Sequence, residues 1–317
     1  SAGPEGFFPV VEEMLQRLEI SLLVEPNAGL PQLENGRTVF KLGPQDFATQ
    51  MVKFVSLGVK ALGGCCGTTP EHIRALVAEI KDQKYVSPDP QDKPCIVLTS
   101  RSQSIPFGFE KRPVIVGERI NPTGKKDLSA QLQAGQLTRA IELAQEQVEQ
   151  GAAVLDVNVG APMVNEQEVL PSLIKALVAR FDCPLCIDSS NETAIRESLY
   201  QYPGSALVNS ISGEEGKMDR LGPICRDLGT PFILLPLKGK KLPVTARERL
   251  TIIESLLDKA LALGIPERLI LVDALALTVS SKPEAAMACL EVIRYCREKW
   301  QLGTIMGLSN ISFGLPA

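Results

Sequence analysis

At 317 residues, with 44% hydrophobic, 22% charged and 5% aromatic side chains, the chain is composed like a folded α/β protein and unlike a disordered one. A net charge of -4, with Lys and Arg scattered along the chain, argues against a nucleic-acid partner, and no apolar run reaches the roughly 18 residues of a membrane span. The eight cysteines follow no disulfide framework and the first residues have no signal layout, so the reading is a cytoplasmic chain with free thiols.

In chain order, hydrophobic periodicity predicts a helix around 10–18, an apolar strand at 21–25, a turn-rich stretch at 26–36, a helix around 44–58 and a short strand at 59–62. A further helix opens at Thr69, with Pro70 at its first position and Ile73, Leu76, Val77 and Ile80 expected on one apolar face. The single histidine, His72, is expected on the surface of that helix. Residues 87–113 dissolve into Pro, Asp, Lys, Ser and Gln without periodicity and are expected to be a linker, separating a domain at 1–86 from one at 114–317.

Beyond the linker, near-continuous apolar strands are predicted at 114–120, 153–159, 185–188, 206–211, 232–237, 269–275 and 304–308. They alternate with helical segments such as 137–149, 168–180, 246–263 and 283–299. Such βα repeats imply an α/β fold, either a parallel barrel or a doubly wound sheet. Polar residues discriminate the two, because nearly every strand ends in one: Glu118 and Asn121, Asp156 and Asn158, Asp188, Asn209, Asp273, Ser309 and Asn310. In a (β/α)8 TIM-type barrel those ends converge on one mouth, where the active site sits.

One Asp or Asn at a strand end is ordinarily a turn former or helix cap, but six strands repeating the pattern indicate a site. The ring contains carboxylates and carboxamides and no His, Cys or Lys nucleophile, which argues against acyl transfer and against a metal hydrolase. Its acceptors suit the amino and ring N–H groups along the edge of a reduced pterin.

Gly117-Glu118-Arg119-Ile120-Asn121-Pro122-Thr123-Gly124, Leu155-Asp156-Val157-Asn158, Cys186-Ile187-Asp188-Ser189, Val208-Asn209-Ser210 and Gly307-Leu308-Ser309-Asn310-Ile311-Ser312-Phe313-Gly314 together resemble the pterin-binding methyltransferase barrel of cobalamin-dependent methionine synthases. The resemblance implies that Asp188, Asn209 and Asp273 hold the edge of 5-methyltetrahydrofolate, with Glu118 and Asp156 nearby. It places Asn310, on a Gly-Leu-Ser-Asn strand, beside the methyl-bearing N5. The implied reaction passes that methyl to cobalamin carried on a separate domain of the same enzyme. It further implies a barrel that continues past residues 313–316, so that the chain stops before an eighth strand. Free-standing methyltetrahydrofolate:corrinoid methyltransferases, dihydropteroate synthases and a non-catalytic folate-binding fragment are the alternatives.

Upstream, Gly63-Gly64-Cys65-Cys66-Gly67-Thr68 places two thiols between a strand end and a helix N-terminus, where thiolates are favoured. Two cysteines alone do not make a zinc site. With Glu25-Pro26-Asn27-Ala28-Gly29-Leu30-Pro31, this motif resembles the end of a zinc-dependent homocysteine methyltransferase barrel. The resemblance makes Cys65 and Cys66 two of three zinc ligands, with the third expected just before Ser1. The domain at 1–86 is then the C-terminal remnant of a second (β/α)8 barrel. Lys238, Lys240 and Lys241 read as a solvated loop cluster, with attraction of the folate's glutamate tail as the alternative.

Overall fold

The computed structural model describes residues 3–17, 20–86, 96–107, 112–239, 241–280 and 283–312, in two compact units, Ser1–Pro94 and Cys95–Ala317. The first unit runs α1 (Pro4–Arg17), β1 (Leu23–Val24), β2 (Pro31–Glu34), β3 (Arg37–Phe40), α2 (Pro44–Leu57), β4 (Ala61–Leu62) and α3 (Pro70–Ile80). β1 and β4 pair in parallel, and Phe47, Met51 and Phe54 of α2 pack with Val11, Leu15 and Leu76 in the core. The stretch read as turns contains part of an antiparallel β2–β3 hairpin. Its signal is Asn35-Gly36, both at positive φ, the pair favoured in tight hairpin turns.

Two expectations for α3 are corrected. Ile73 and Val77 are exposed, and the buried face is carried by Leu76 and His72. His72 is 6% exposed and therefore not a surface residue. Its Nε2 donates to the Leu42 carbonyl at 2.8 Å, and its Nδ1 accepts from the Thr69 N–H at 3.2 Å, closing a capping box in which histidine takes the role of Glu or Gln. Phe47 meets the ring edge-on.

The second unit opens with β5 (Ile96–Thr99) and β6 (Ser104–Phe107), an antiparallel hairpin inside the stretch expected as linker. The linker expectation fails there for a packing reason. Ile96 and Leu98 are buried against Val154, Cys186, Leu207, Ile233 and Leu271, closing the barrel floor. Thr99 anchors the hairpin through its backbone pairing with Ser205 and through its carbonyl, which accepts from the Tyr202 hydroxyl at 2.8 Å. Within that stretch, 87–95 and 108–111 lie outside the described residues.

There follow β7 (Val116–Ile120), α4 (Lys126–Gln133), α5 (Thr138–Glu149), β8 (Val154–Asn158), α6 (Glu166–Val178), β9 (Leu185–Asp188), α7 (Glu192–Gln201), β10 (Leu207–Ser212), α8 (Lys217–Leu228), β11 (Phe232–Leu235), α9 (Ala246–Ala262), β12 (Ile270–Asp273), α10 (Glu284–Tyr295), β13 (Gly303–Ile305) and α11 (Ser309–Ser312). Seven parallel strands, β7 to β13, pair in sequence order, the arrangement of a TIM-type barrel. Side chains from both edge strands, Val116 and Ile305, pack on the same inner cluster, which shows how far the sheet curls.

Strand periodicity builds two faces from each strand. Leu155, Val157, Ile187, Val208, Phe232, Leu234 and Val272 face the helices in the main core. The alternate residues Val154, Cys186, Leu207, Ile233 and Leu271 face inward and meet the hairpin. At the start of β7, Gly117 is required by close approach, because a Cβ there would meet Gln147 Oε1 at 2.6 Å. That oxygen accepts from the Arg119 N–H at 2.7 Å, replacing a strand partner where the β7–β8 register shifts.

Candidate functional site

Two residues beyond the inward layer, the same faces carry Asp156, Asp188, Asn209 and Asp273. The site is therefore a consequence of strand periodicity: a face apolar at the floor becomes polar at the C-terminal mouth. Register pairs Asp188 with both Asn158 and Asn209 on its neighbouring strands, and three of these strands interlock through side chains. Asn209 Nδ2 donates to Asp156 Oδ2 at 3.1 Å, and Asn158 Nδ2 donates to Asp188 Oδ2 at 2.8 Å. Each amide spends its N–H on a carboxylate. Asn158 Oδ1 also accepts from the Gly160 N–H at 2.7 Å.

Desolvation governs the charges. Burial, then the neighbouring Asp188, push the Asp156 carboxyl up to about 7, against the hydrogen bond from Asn209. Burial also raises Asp188, opposed by the Asn158 amide and by Lys217 and reinforced by Glu166. Asp273 is raised by burial and held back by the Leu275 N–H, which donates to its Oδ1 at 2.7 Å, and by Arg249. Beneath Asp156, burial and the two carboxylates drive the Cys186 thiol far above its ordinary range, which makes it inert packing.

Glu118 and Asn310 sit at the rim and are exposed. Asn310 is not on a strand: β13 ends at Ile305, and Asn310 lies in the turn of helix α11. The Gly307 carbonyl accepts the Asn310 N–H at 3.1 Å, so the chain has already left the sheet. Its neighbour Ser309 donates to Glu118 Oε1 at 2.9 Å. Missed by the sequence reading are the Glu166 carboxylate, which accepts from the Ser189 hydroxyl, and Arg249, fully buried beside the mouth. A charged residue in an amphipathic helix reads as solvent-facing, so Arg249 carried no signal.

In the first unit, the loop bearing Cys65 and Cys66 is sewn to the Pro26–Ala28 turn by three bonds. The Cys65 N–H donates to the Pro26 carbonyl, the Cys66 N–H to Asn27 Oδ1, and the Ala28 N–H to the Cys66 carbonyl. Both thiols are exposed, with their sulfurs 3.8 Å apart. That spacing matches the edge of a tetrahedron with zinc–sulfur bonds of about 2.3 Å, which is about 3.8 Å. Two thiols are nevertheless short of the three ligands required, both His72 nitrogens are engaged, and no group of three metal-ligating side chains occurs among the described residues. The described residues thus fit half of a zinc shell, and no zinc-dependent step is derived.

Comparison with known proteins divides the chain in the same way. Residues 117–317 match the family model of pterin binding enzymes, and residues 1–80 match that of homocysteine S-methyltransferases. Across 99% of its length the chain is 28% identical to methionine synthase from Mycobacterium tuberculosis (strain ATCC 25618 / H37Rv) and 25% identical to that from Mycobacterium leprae (strain TN). It spans 27% of the length of each. Among solved structures it is similar to dihydropteroate synthase from Coxiella burnetii in complex with pteroic acid, at TM-score 0.51 and 21% identity over 68% of this chain and 78% of that one. It is also similar to the Xanthomonas albilineans enzyme in complex with indole-2-carboxylic acid and 6-chloroguanine, at TM-score 0.51 and 20% identity over 68% and 77%. At such identity these two likenesses describe the fold.

Proposed function

Because the chain belongs to the pterin binding enzymes over residues 117–317, we propose that its second unit binds 5-methyltetrahydrofolate and releases the N5 methyl group to cobalamin held by another domain, as one step in making methionine from homocysteine. The observation that carries this reading is the polar mouth layer, in which Asp188, Asn209 and Asp273 stand one layer above the apolar floor. Asp188, Asn209 and Asp273 receive the amino and ring N–H groups of the pterin. Asp156 supports Asn209 from behind and, titrating near neutrality, can donate or accept. Glu118 closes the rim.

Cobalamin supplies a nucleophilic cobalt that accepts the methyl. The work of this chain is to hold the pterin in line and to ease its departure, because tetrahydrofolate leaves poorly unless N5 gains a proton. Asn310 is the residue assigned to N5, where its amide strengthens a hydrogen bond as charge develops in the transition state. Held in place, the donor gains the proximity that a bimolecular encounter lacks. The first unit is assigned as the end of a homocysteine-binding domain, contributing Cys65 and Cys66 to a zinc shell.

Isothermal titration with 5-methyltetrahydrofolate, followed by absorbance-monitored methyl transfer to added cob(I)alamin, tests the reading. Binding with transfer is expected. Binding without transfer would reduce the second unit to a folate-binding module, and no binding would remove the proposal altogether.

A further inference from the structure

Arg249, on the first turns of α9, is fully buried and makes no hydrogen bond to a carboxylate among the described residues. Its guanidinium is spent on three backbone carbonyls. Nε donates to Pro243 at 3.0 Å and Nη2 to Val244 at 3.2 Å, both in the loop after β11, while Nη1 donates to Ala274 at 3.0 Å, the residue following Asp273. The adjacent Glu248 grips the same loop from outside, accepting from the Val244 N–H and from Lys241 Nζ. Ala274 is tied in turn to β13, its N–H donating to the Ile305 carbonyl at 3.0 Å.

Burying a guanidinium is costly, and three neutral carbonyls satisfy its N–H groups without balancing its charge. The charge therefore calls for a reason. Among the described residues, the ionisable groups acting on Arg249 are Cys289 of α10, Asp273 of β12 and Glu248 of α9. Cys289 is a thiol that burial keeps neutral, and Glu248 is half-buried with its carboxylate already paired with Lys241. Asp273 remains.

We propose that Arg249 is a positioning residue for Asp273, fixing the loops after β11 and β12 at the mouth and supplying the buried counter-charge to the Asp273 carboxylate. The inference rests on the reading of Asp273 as a ligand-binding carboxylate, but its electrostatic half can be measured without ligand. The planar fork matters as well as the charge, because an ammonium cannot reach three carbonyls in three directions at once.

The test uses the chain as it stands. Carboxyl carbons of Asp are followed by NMR from pH 3 to 9, Asp273 being assigned by its loss in Asp273→Asn, and 5-methyltetrahydrofolate binding is titrated alongside. In Arg249→Met the Asp273 midpoint is expected to rise by about one pH unit, and the acid limb of binding to rise with it. Arg249→Lys should keep the midpoint near that of the parent while losing several-fold in affinity. An unmoved Asp273 midpoint in folded Arg249→Met overturns the proposal. Should that variant not fold, Arg249→Lys decides: unchanged affinity overturns the positioning role, and a several-fold loss with an unmoved midpoint supports it. If the parent chain binds no pterin while the midpoint shift is observed, the ligand reading falls and the Arg249–Asp273 relationship stands.

Discussion

Ser309 donates its hydroxyl hydrogen to Glu118 Oε1 across 2.9 Å, joining two residues 191 positions apart in the chain. Ser309 follows β13 and Glu118 lies on β7, the two edge strands of the seven-stranded sheet. One exposed hydrogen bond therefore spans the opening between the edges at the mouth. Its contribution to stability is small, about 1 kcal/mol or less. Ser309→Ala should lower the melting temperature by no more than a few degrees, yet speed amide exchange in Val116–Ile120 and Gly303–Ile305. Unchanged exchange in both strands would show that the bond does not restrain the edges.

Asp156 gives the unit a pH signature. Its carboxyl lies near 7 in the folded chain against 3.8 as the reference value, so folding favours the protonated form. The sign follows: this contribution is fully present below the unfolded value and is lost as pH rises through the folded one. Asp156→Asn should be more stable than the parent at pH 8, with the advantage vanishing near pH 4. Urea unfolding at both values measures it, and parallel pH dependences in the two proteins would discredit the assignment.

Binding and chemistry should separate by residue. Asp188→Ala and Asp273→Ala are each expected to weaken 5-methyltetrahydrofolate binding at least tenfold, about 1.4 kcal/mol, because buried acceptors leave donors on the ligand unpaired. Asn310→Ala is expected to slow methyl transfer more than it weakens binding, since its role is confined to the transition state. Equal losses in both quantities for Asn310 would place it among the binding residues instead.

Leu98 is completely buried at the barrel floor. Leu98→Ala should cost about 2–5 kcal/mol, the range for a large core residue truncated to alanine. Chemical denaturation of the second unit reads this directly. A loss below half a kcal/mol would mean the hairpin is a passenger.

The exposed pair Cys65 and Cys66 offers two sulfurs to a metal. The purified chain is expected to carry zinc below one equivalent by elemental analysis, and both exposed thiols should be open to a disulfide reagent, with Cys66 slowed because the neighbouring Cys65 raises its thiol. One tightly held equivalent, with both thiols protected, would mean that a further ligand completes the shell.

The strands of the second unit were legible because parallel strands buried on both faces are written as apolar runs, and Leu185–Asp188 is found at the residues expected. The positions of Asp156, Asp188, Asn209 and Asp273 were legible for a related reason, since a polar side chain repeated at the end of one apolar run after another exceeds what turns and helix caps require. Less legible were contacts that depend on three dimensions. Ile96 and Leu98 sit in a polar, proline-rich neighbourhood that resembles a linker, and only the barrel floor gives them a partner. His72 and Arg249 look like solvent-facing helix residues until the carbonyls of Leu42, Pro243, Val244 and Ala274 are brought to them. Asn310 was placed on a strand because an apolar run continues to Leu308, whereas the pairing stops at Ile305.

The spacing of two residues between Cys186 and Asp188, or between Leu271 and Asp273, has a consequence for how such a protein changes over time. The polar mouth and the apolar floor are inscribed on the same strands at neighbouring inward positions, with the helix-facing residue between them serving neither. A lineage can therefore rewrite the last inward letter of each strand and acquire a new substrate while inheriting the floor unaltered.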